Sequence, residues 1–95
     1  MTITLFLADD HTVVREGLRA YLDAKSDIRV IGEAGNGRQA VEQICDLKPD
    51  VAVLDIGMPE VTGIEATEEI CRRRPSVAVV ILSMHSTNEY VFRAL

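Results

Sequence analysis

The sequence predicts an α/β domain built on a parallel sheet with helices on both faces. Three observations predict it. Short, continuous apolar runs recur along the chain, segments of helical period alternate with them, and acidic or hydroxyl residues stand where the runs stop. A continuous apolar run of strand length is what a strand buried on both faces requires. Strands that alternate with helices form right-handed βαβ crossovers. At 95 residues the chain suits one small domain.

Each element has its own signal. Residues 3–8 (ITLFLA) are the first buried strand and stop at Asp9-Asp10. Over residues 12–24 the period changes: Val14, Leu18, Tyr21 and Leu22 share one helix face. Val13, Gly17, Ala20 and Ala24 form a neighbouring row of mostly small residues, suited to close approach to a sheet. Residues 28–32 (IRVIG) alternate more and read as an edge-like strand, with a loop over 33–37. A second helix is expected from about 38 to 47, with Ala40, Val41, Ile44 and Leu47 on one face. Asn36 and Gln39 resemble its capping pair, and Pro49 stops it. Residues 51–54 (VAVL) are another buried strand, ended by Asp55. In the third helix, 62–74, Thr62 and Glu65 match a capping box, Arg72, Arg73 and Arg74 suit the C-terminal dipole, and Pro75 follows. Residues 77–82 (VAVVIL) are the fourth strand, ending at Ser83. Ser86 and Glu89 match a further capping box, so a fourth helix is expected from near Thr87, with the chain stopping inside it at Leu95.

Composition narrows the function. The chain is 47% apolar and 26% charged, ordinary for a globular domain and against a disordered one. Its formal charge is −5, and no basic stripe exists to neutralise phosphates, so direct nucleic-acid binding by this segment is not expected. No apolar run reaches the ~18 residues that would span a bilayer. No cationic segment opens a signal peptide, so no membrane partner is expected. Cys45 and Cys71 make neither a disulfide framework nor a CxxC site, and both fall on apolar helix faces. A reduced, cytoplasmic protein is the expectation.

The chemistry should lie outside the carboxyl ends of the strands, where ligands bind in open parallel sheets. Asp9 and Asp10 end the first strand, Asp55 the third and Ser83 the fourth. If the first and third strands are neighbours, three carboxylates share one pocket. Like charges that close oppose one another's ionisation. A divalent cation resolves the conflict, and hard oxygen ligands favour Mg2+ or Mn2+. Asp55 is then a candidate acceptor nucleophile, since carboxylates form aspartyl phosphates. His11 and His85 flank the pocket and could be taken for metal ligands, but with the carboxylates already present surface or capping roles are expected for them. The Gly32, Gly35, Gly37 cluster reads as a turn into a helix and not as a nucleotide-binding loop.

Four stretches in order, LADDH at 7–11, VLDIGMP at 53–59, TG at 62–63 and ILSMH at 81–85, resemble the receiver domain of bacterial two-component response regulators. They are most similar to the NarL/FixJ (LuxR-type) branch. The resemblance implies a flavodoxin-like, doubly wound sheet of order 2-1-3-4 and a single receiver domain over residues 1–95. It implies that Asp55 takes a phosphoryl group from a sensor histidine kinase. Asp10 would be the direct Mg2+ ligand, Asp9 its companion acting partly through water, and Gly57 the donor of a backbone carbonyl. Pro59 and Gly63 would shape the loop after the acceptor, and Ser83 would be the switch hydroxyl on the phosphoryl oxygens. The output domain would be a C-terminal helix-turn-helix that binds DNA.

The resemblance departs at its C-terminal end. A complete receiver has a fifth strand, with a phosphate-pairing lysine and an aromatic switch partner, and then a fifth helix. Here the only lysines are Lys25 and Lys48, both expected at the end of the sheet away from the site, so the lysine role is assigned to no residue. Without those elements the fourth strand is expected to be an exposed apolar edge, and one sheet face to keep an apolar patch. Three expectations match: the chain is a piece of a longer protein, it forms a homodimer through that strand or the fourth helix, swapped or otherwise associated, or its terminal residues are disordered. Three other readings compete. A Mg2+-dependent phosphatase of the haloacid-dehalogenase type would want an aspartate at position 57, where Gly57 stands. A flavin domain would not place Asp9-Asp10 at the phosphate. A phosphorylation-independent interaction module is reopened by the missing lysine.

Overall fold

Four apolar runs become four parallel strands of one sheet. The structure, a computed structural model, describes residues 2–83 and 90–94. In chain order the elements are β1 (Ile3–Ala8), α1 (Thr12–Asp23), β2 (Ile28–Ala34), α2 (Gly37–Leu47), β3 (Val51–Asp55), α3 (Gly63–Arg73), β4 (Ala78–Ser83) and β5 (Tyr90–Ala94). The sheet order is β2-β1-β3-β4-β5. The first four strands are mutually parallel and stand in the predicted order 2-1-3-4.

Strand parity sorts the core into two layers. Phe6, Ala8, Ala52, Leu54, Val79 and Ile81 are buried toward α2 and α3, where they meet Ala40, Val41, Ile44, Ala66 and Ile70. Leu5, Leu7 and Val30 are buried on the opposite face, under Leu18 and Leu22 of α1. The caps are as the sequence predicts. Asn36 Oδ1 accepts from the Gln39 N–H at 2.9 Å. Thr62 and Glu65 exchange both bonds of a capping box, at 3.1 and 3.2 Å. Arg72 and Arg73 pair with Glu69 and Glu42 at the surface, whereas Arg74 Nε donates to the Cys45 carbonyl at 3.0 Å and fastens α3 to α2.

Three expectations are corrected. Residues 90–94, expected inside a helix, form β5 antiparallel to β4, with Ser83 opposite Tyr90 and Val79 opposite Ala94. The segment YVFRA is β-branched and aromatic, and β4 otherwise presents unpaired backbone groups along its outer side. The edge expected on β4 is therefore paired within the chain. The helix cap at Ser86 and Glu89, and His85, lie outside the described residues. Second, β2 runs on through Glu33 and Ala34, which were expected to be loop. A bulge after its third residue shifts the register, so that Phe6 pairs with Gly32 and Ala8 with Ala34. Gly32 is required there, because a Cβ would sit 2.8 Å from the Phe6 ring. Third, the small-residue row of α1 does not approach the sheet. Val13 is 82% exposed, Ala20 and Ala24 are exposed, and nothing lies within 4 Å of where a Gly17 side chain would be. Helix α1 packs on the sheet through Leu18 and Leu22 and pairs with Glu33 of β2 through Arg15 and Arg19.

Candidate functional site

The end of β1 is tied down before any side chain is considered. The Asp9 N–H donates to the Ala34 carbonyl at 3.1 Å, and Arg15 Nη1 donates to the Asp9 carbonyl at 2.6 Å. Arg15 and Arg19 both pair with Glu33 at the end of β2, and these pairs hold the Glu33 carboxyl below its ordinary range, Arg19 contributing most. Because Ala8 pairs with Leu54, Asp9 and Asp55 emerge side by side. Both are 1% exposed.

One pocket gathers Asp9, Asp10, Asp55 and His11, with a donor atom of each inside a 4.8 Å span. Asp9 Oδ1 accepts from the His11 N–H at 2.8 Å and lies 3.1 Å from His11 Nδ1. The same ring nitrogen lies 3.1 Å from Asp10 Oδ1 and 3.7 Å from Asp55 Oδ2. Asp55 Oδ1 has a long bond, 3.4 Å, from the Gly57 N–H, and Asp55 Oδ2 is buried with no hydrogen-bond partner. Burial pushes the Asp55 carboxyl above its ordinary range. The Gly57 N–H opposes that shift, and Asp9 and Asp10 add to it. The His11 imidazole is shifted upward, first by its hydrogen bond to Asp9 and then by the charge of Asp10.

An orphaned buried carboxylate oxygen facing two more carboxylates is a poor resting place for negative charge and a good fit for a hard divalent cation. Asp10 and Asp55 could be direct ligands, with Asp9 beside them. The loop behind Asp55 is built closely. Met58 is buried at 2% exposure. The Val61 N–H closes a tight turn onto the Pro59 carbonyl at 2.8 Å, with Glu60 at φ 67°. The Gly63 N–H donates to the Ile56 carbonyl at 3.1 Å, and a Cβ on Gly63 would meet the Asp55 carbonyl at 2.4 Å. A Cβ on Gly37 would meet the Val61 carbonyl at 2.0 Å, so the start of α2 packs against the same loop. Pro59, Gly63 and Gly37 all pack within or against this loop, and Gly37 is one the sequence reading passed over as a turn.

Ser83 follows Leu82, the residue paired with Asp55, at the carboxyl end of β4. Lys25 and Lys48 lie at the far end of the molecule: Lys25 sits 4.5 Å over the Tyr21 ring, and Lys48 caps α2 ahead of β3. His11 is exposed, as expected of a surface residue, but the capping role is corrected. Its backbone occupies the α1 N-cap position, but its side chain makes no cap bond. The ring turns into the acidic pocket instead. The signal was present in the run Asp9-Asp10-His11: an aspartate that accepts the N–H two residues on folds that residue back over itself.

The carboxylate cluster lies outside the carboxyl ends of the parallel strands, where ligands bind in open α/β sheets. Comparison with known proteins gives the class. The profile of the response regulator receiver domain matches residues 5–95, and the chain belongs to that family. It is 40% identical over 91 residues to the uncharacterized transcriptional regulatory protein YhcZ of Bacillus subtilis, covering 96% of this chain and 42% of that protein. It is 39% identical over 95 residues to the response regulator protein VraR of Staphylococcus aureus, covering 100% of this chain and 46% of that one. The signal receiver domain of the response regulator NarL from Mycobacterium tuberculosis superposes with a TM-score of 0.85 at 32% identity, over 90% of this chain and 68% of that one. The chain spans less than half the length of the curated relatives it matches. It is a two-component signalling domain, similar to LuxR- and NarL-type regulators, and the phosphatase and flavin readings are not favoured. Among the described residues no helix is long and apolar enough to cross a membrane.

Proposed function

We propose that Asp55 is the phosphoacceptor of this domain, and that Asp10, Asp9 and the Gly57 carbonyl hold the Mg2+ or Mn2+ that the transfer needs. The observation that carries the reading is the Asp55 carboxylate, 1% exposed with Oδ2 unpartnered beside Asp9 and Asp10. An Asp55 oxygen attacks phosphorus as the bond from phosphorus to the donor's imidazole nitrogen breaks, and the departing nitrogen keeps that electron pair. The donor is a phosphohistidine on a sensor kinase. The cation supplies charge neutralisation on the transferring group. Ser83 is the hydroxyl that meets the phosphoryl oxygens and moves the following segment, the bistable element that phosphorylation biases. Pro59, Gly63 and Gly37 hold the acceptor loop at fixed height. The output is a C-terminal DNA-binding domain of helix-turn-helix type, and the similarity to a transcriptional regulatory protein of Bacillus subtilis supports it.

Intact mass after incubation with acetyl phosphate and Mg2+ tests the reading. One phosphoryl adduct, lost with EDTA and in Asp55→Asn, is expected. Asp10→Ala should slow adduct formation by a factor of about 100 or more and remove most of its metal dependence. An adduct on Asp55→Asn at the wild-type rate would falsify the acceptor assignment.

A further inference from the structure

We propose that His11 is a nitrogen ligand of the cation in this pocket, so that the site binds borderline transition ions such as Mn2+ and Zn2+ more tightly than its carboxylates alone would. The inference rests on the reading above that the pocket holds a divalent cation, and it adds a ligand and a metal preference that an all-oxygen site lacks.

Geometry carries it. His11 Nδ1 is 3.1 Å from Asp9 Oδ1, 3.1 Å from Asp10 Oδ1 and 3.7 Å from Asp55 Oδ2. Donors held ~2.1 Å from a single ion stand roughly 3.0 to 3.4 Å apart at octahedral or tetrahedral angles. The ring nitrogen stands close to that separation from its carboxylate neighbours, as a co-ligand would. The backbone puts it there. His11 is extended at φ −93° and ψ 103°, and its N–H is bound to Asp9 Oδ1 at 2.8 Å, so the turn that fixes Asp9 also folds the ring over the pocket. A second observation points to the same ligand: Asp55 Oδ2, buried and unpartnered, borders the same space. The His11 side chain is 55% exposed, which leaves Nε2 free to carry its hydrogen toward water while Nδ1 donates its lone pair to the metal. Carboxylates and water suit Mg2+ and Mn2+, whereas imidazole suits Zn2+ and its neighbours. Adding one imidazole to three carboxylates moves the preference toward the latter.

Calorimetric titration of the intact chain with Mg2+, Mn2+ and Zn2+ tests this, with pulsed electron paramagnetic resonance of the Mn2+ form as a direct probe of nitrogen. Wild type should show a 14N modulation that His11→Ala removes. His11→Ala should weaken Zn2+ by about tenfold or more and Mn2+ by a few fold, and leave Mg2+ within roughly twofold. His11→Gln, which offers an amide of similar reach, should not restore Zn2+ affinity. Absence of the 14N signal in wild type overturns the proposal. So does a His11→Ala variant that keeps its Zn2+ affinity or binds all three ions more tightly, because the ring is then only a hydrogen-bonded occupant of the cation's place. Asp10→Ala separates the two readings. Loss of all three ions supports a carboxylate pocket whatever His11 does, and an unchanged Mg2+ affinity overturns the pocket and the histidine ligand together.

Discussion

The same residue type stands at both ends of β3, with opposite fates. At the entrance, Asp50 is exposed and fully engaged. Its Oδ2 accepts from the Thr4 N–H at 2.9 Å and the Thr4 hydroxyl at 3.1 Å, while its own N–H donates to Thr4 Oγ1 at 2.9 Å. Its carbonyl accepts from the Ala78 N–H at 3.0 Å, so one aspartate staples three strands. At the exit, Asp55 is buried, with one long bond to the Gly57 N–H and one oxygen without a partner. A carboxylate given donors becomes structure. A carboxylate denied them costs folding energy of a few kcal/mol and keeps its lone pairs for a ligand. The difference is set by neighbours, since Asp9 and Asp10 offer Asp55 only acceptors where Thr4 offers Asp50 a hydroxyl and an N–H.

Substitutions at the two ends should separate chemistry from stability. The largest effect is expected from Asp55→Asn: complete loss of the phosphoryl adduct by mass, with a denaturation midpoint at or above wild type because a buried like charge is gone. A clear fall in that midpoint would mean that Asp55 is structural and would erase the contrast. Next is Gly63→Ala. Its Cβ would press on the Asp55 carbonyl at 2.4 Å, and a loss of about 3 kcal/mol in urea unfolding is expected, together with slowed phosphorylation. Asp50→Ala should cost about 1 to 2 kcal/mol while the adduct forms at the wild-type rate. A matching loss of phosphorylation would show that the two ends are coupled. The smallest effect is at Glu33, whose carboxyl is held low by Arg19 and then Arg15. A depressed folded-state value contributes stability above the unfolded value, 4.5, and that contribution is lost as pH falls below it. Glu33→Gln should therefore flatten the decline of stability below pH 4.5 and leave the neutral-pH adduct rate intact.

Most of the frame was readable in the chain because short apolar runs and capping boxes are local signals. Thr62 and Glu65 announce α3 without reference to anything distant, and the acidic residues sit at strand ends that the runs themselves define. What escaped the reading depends on neighbours in space. Tyr21 falls on the apolar face of α1 by period, yet it is solvent-facing because the sheet meets the Leu18–Leu22 side. Tyr90 to Ala94 follow a helix-cap pattern but become β5 because an open strand edge lies beside them. The His11 ring belongs to the pocket through a turn made by the side chain two residues earlier. Asp9, Asp10 and Asp55 form one group only if the first and third strands are neighbours; β1 does pair with β3, and the three carboxylates lie together.

The bulge in β2 acts as a parity switch. Before it, Ile28 and Val30 point to the α1 layer; after it, Gly32 and Ala34 point to the α2–α3 layer, and Glu33 takes over the α1 side. One strand thereby serves two cores in succession. Its single carboxylate comes out on the side where Arg15 and Arg19 wait, instead of entering an apolar interior. If Ile31 were instead accommodated in regular alternation, without the bulge, Glu33 and Ala34 would exchange faces. A charge would then enter the apolar layer, and Arg15, which also holds the Asp9 carbonyl, would lose its counter-charge. The side on which Glu33 emerges, and with it the Arg15 that holds the Asp9 carbonyl, thus depends on the bulge in β2.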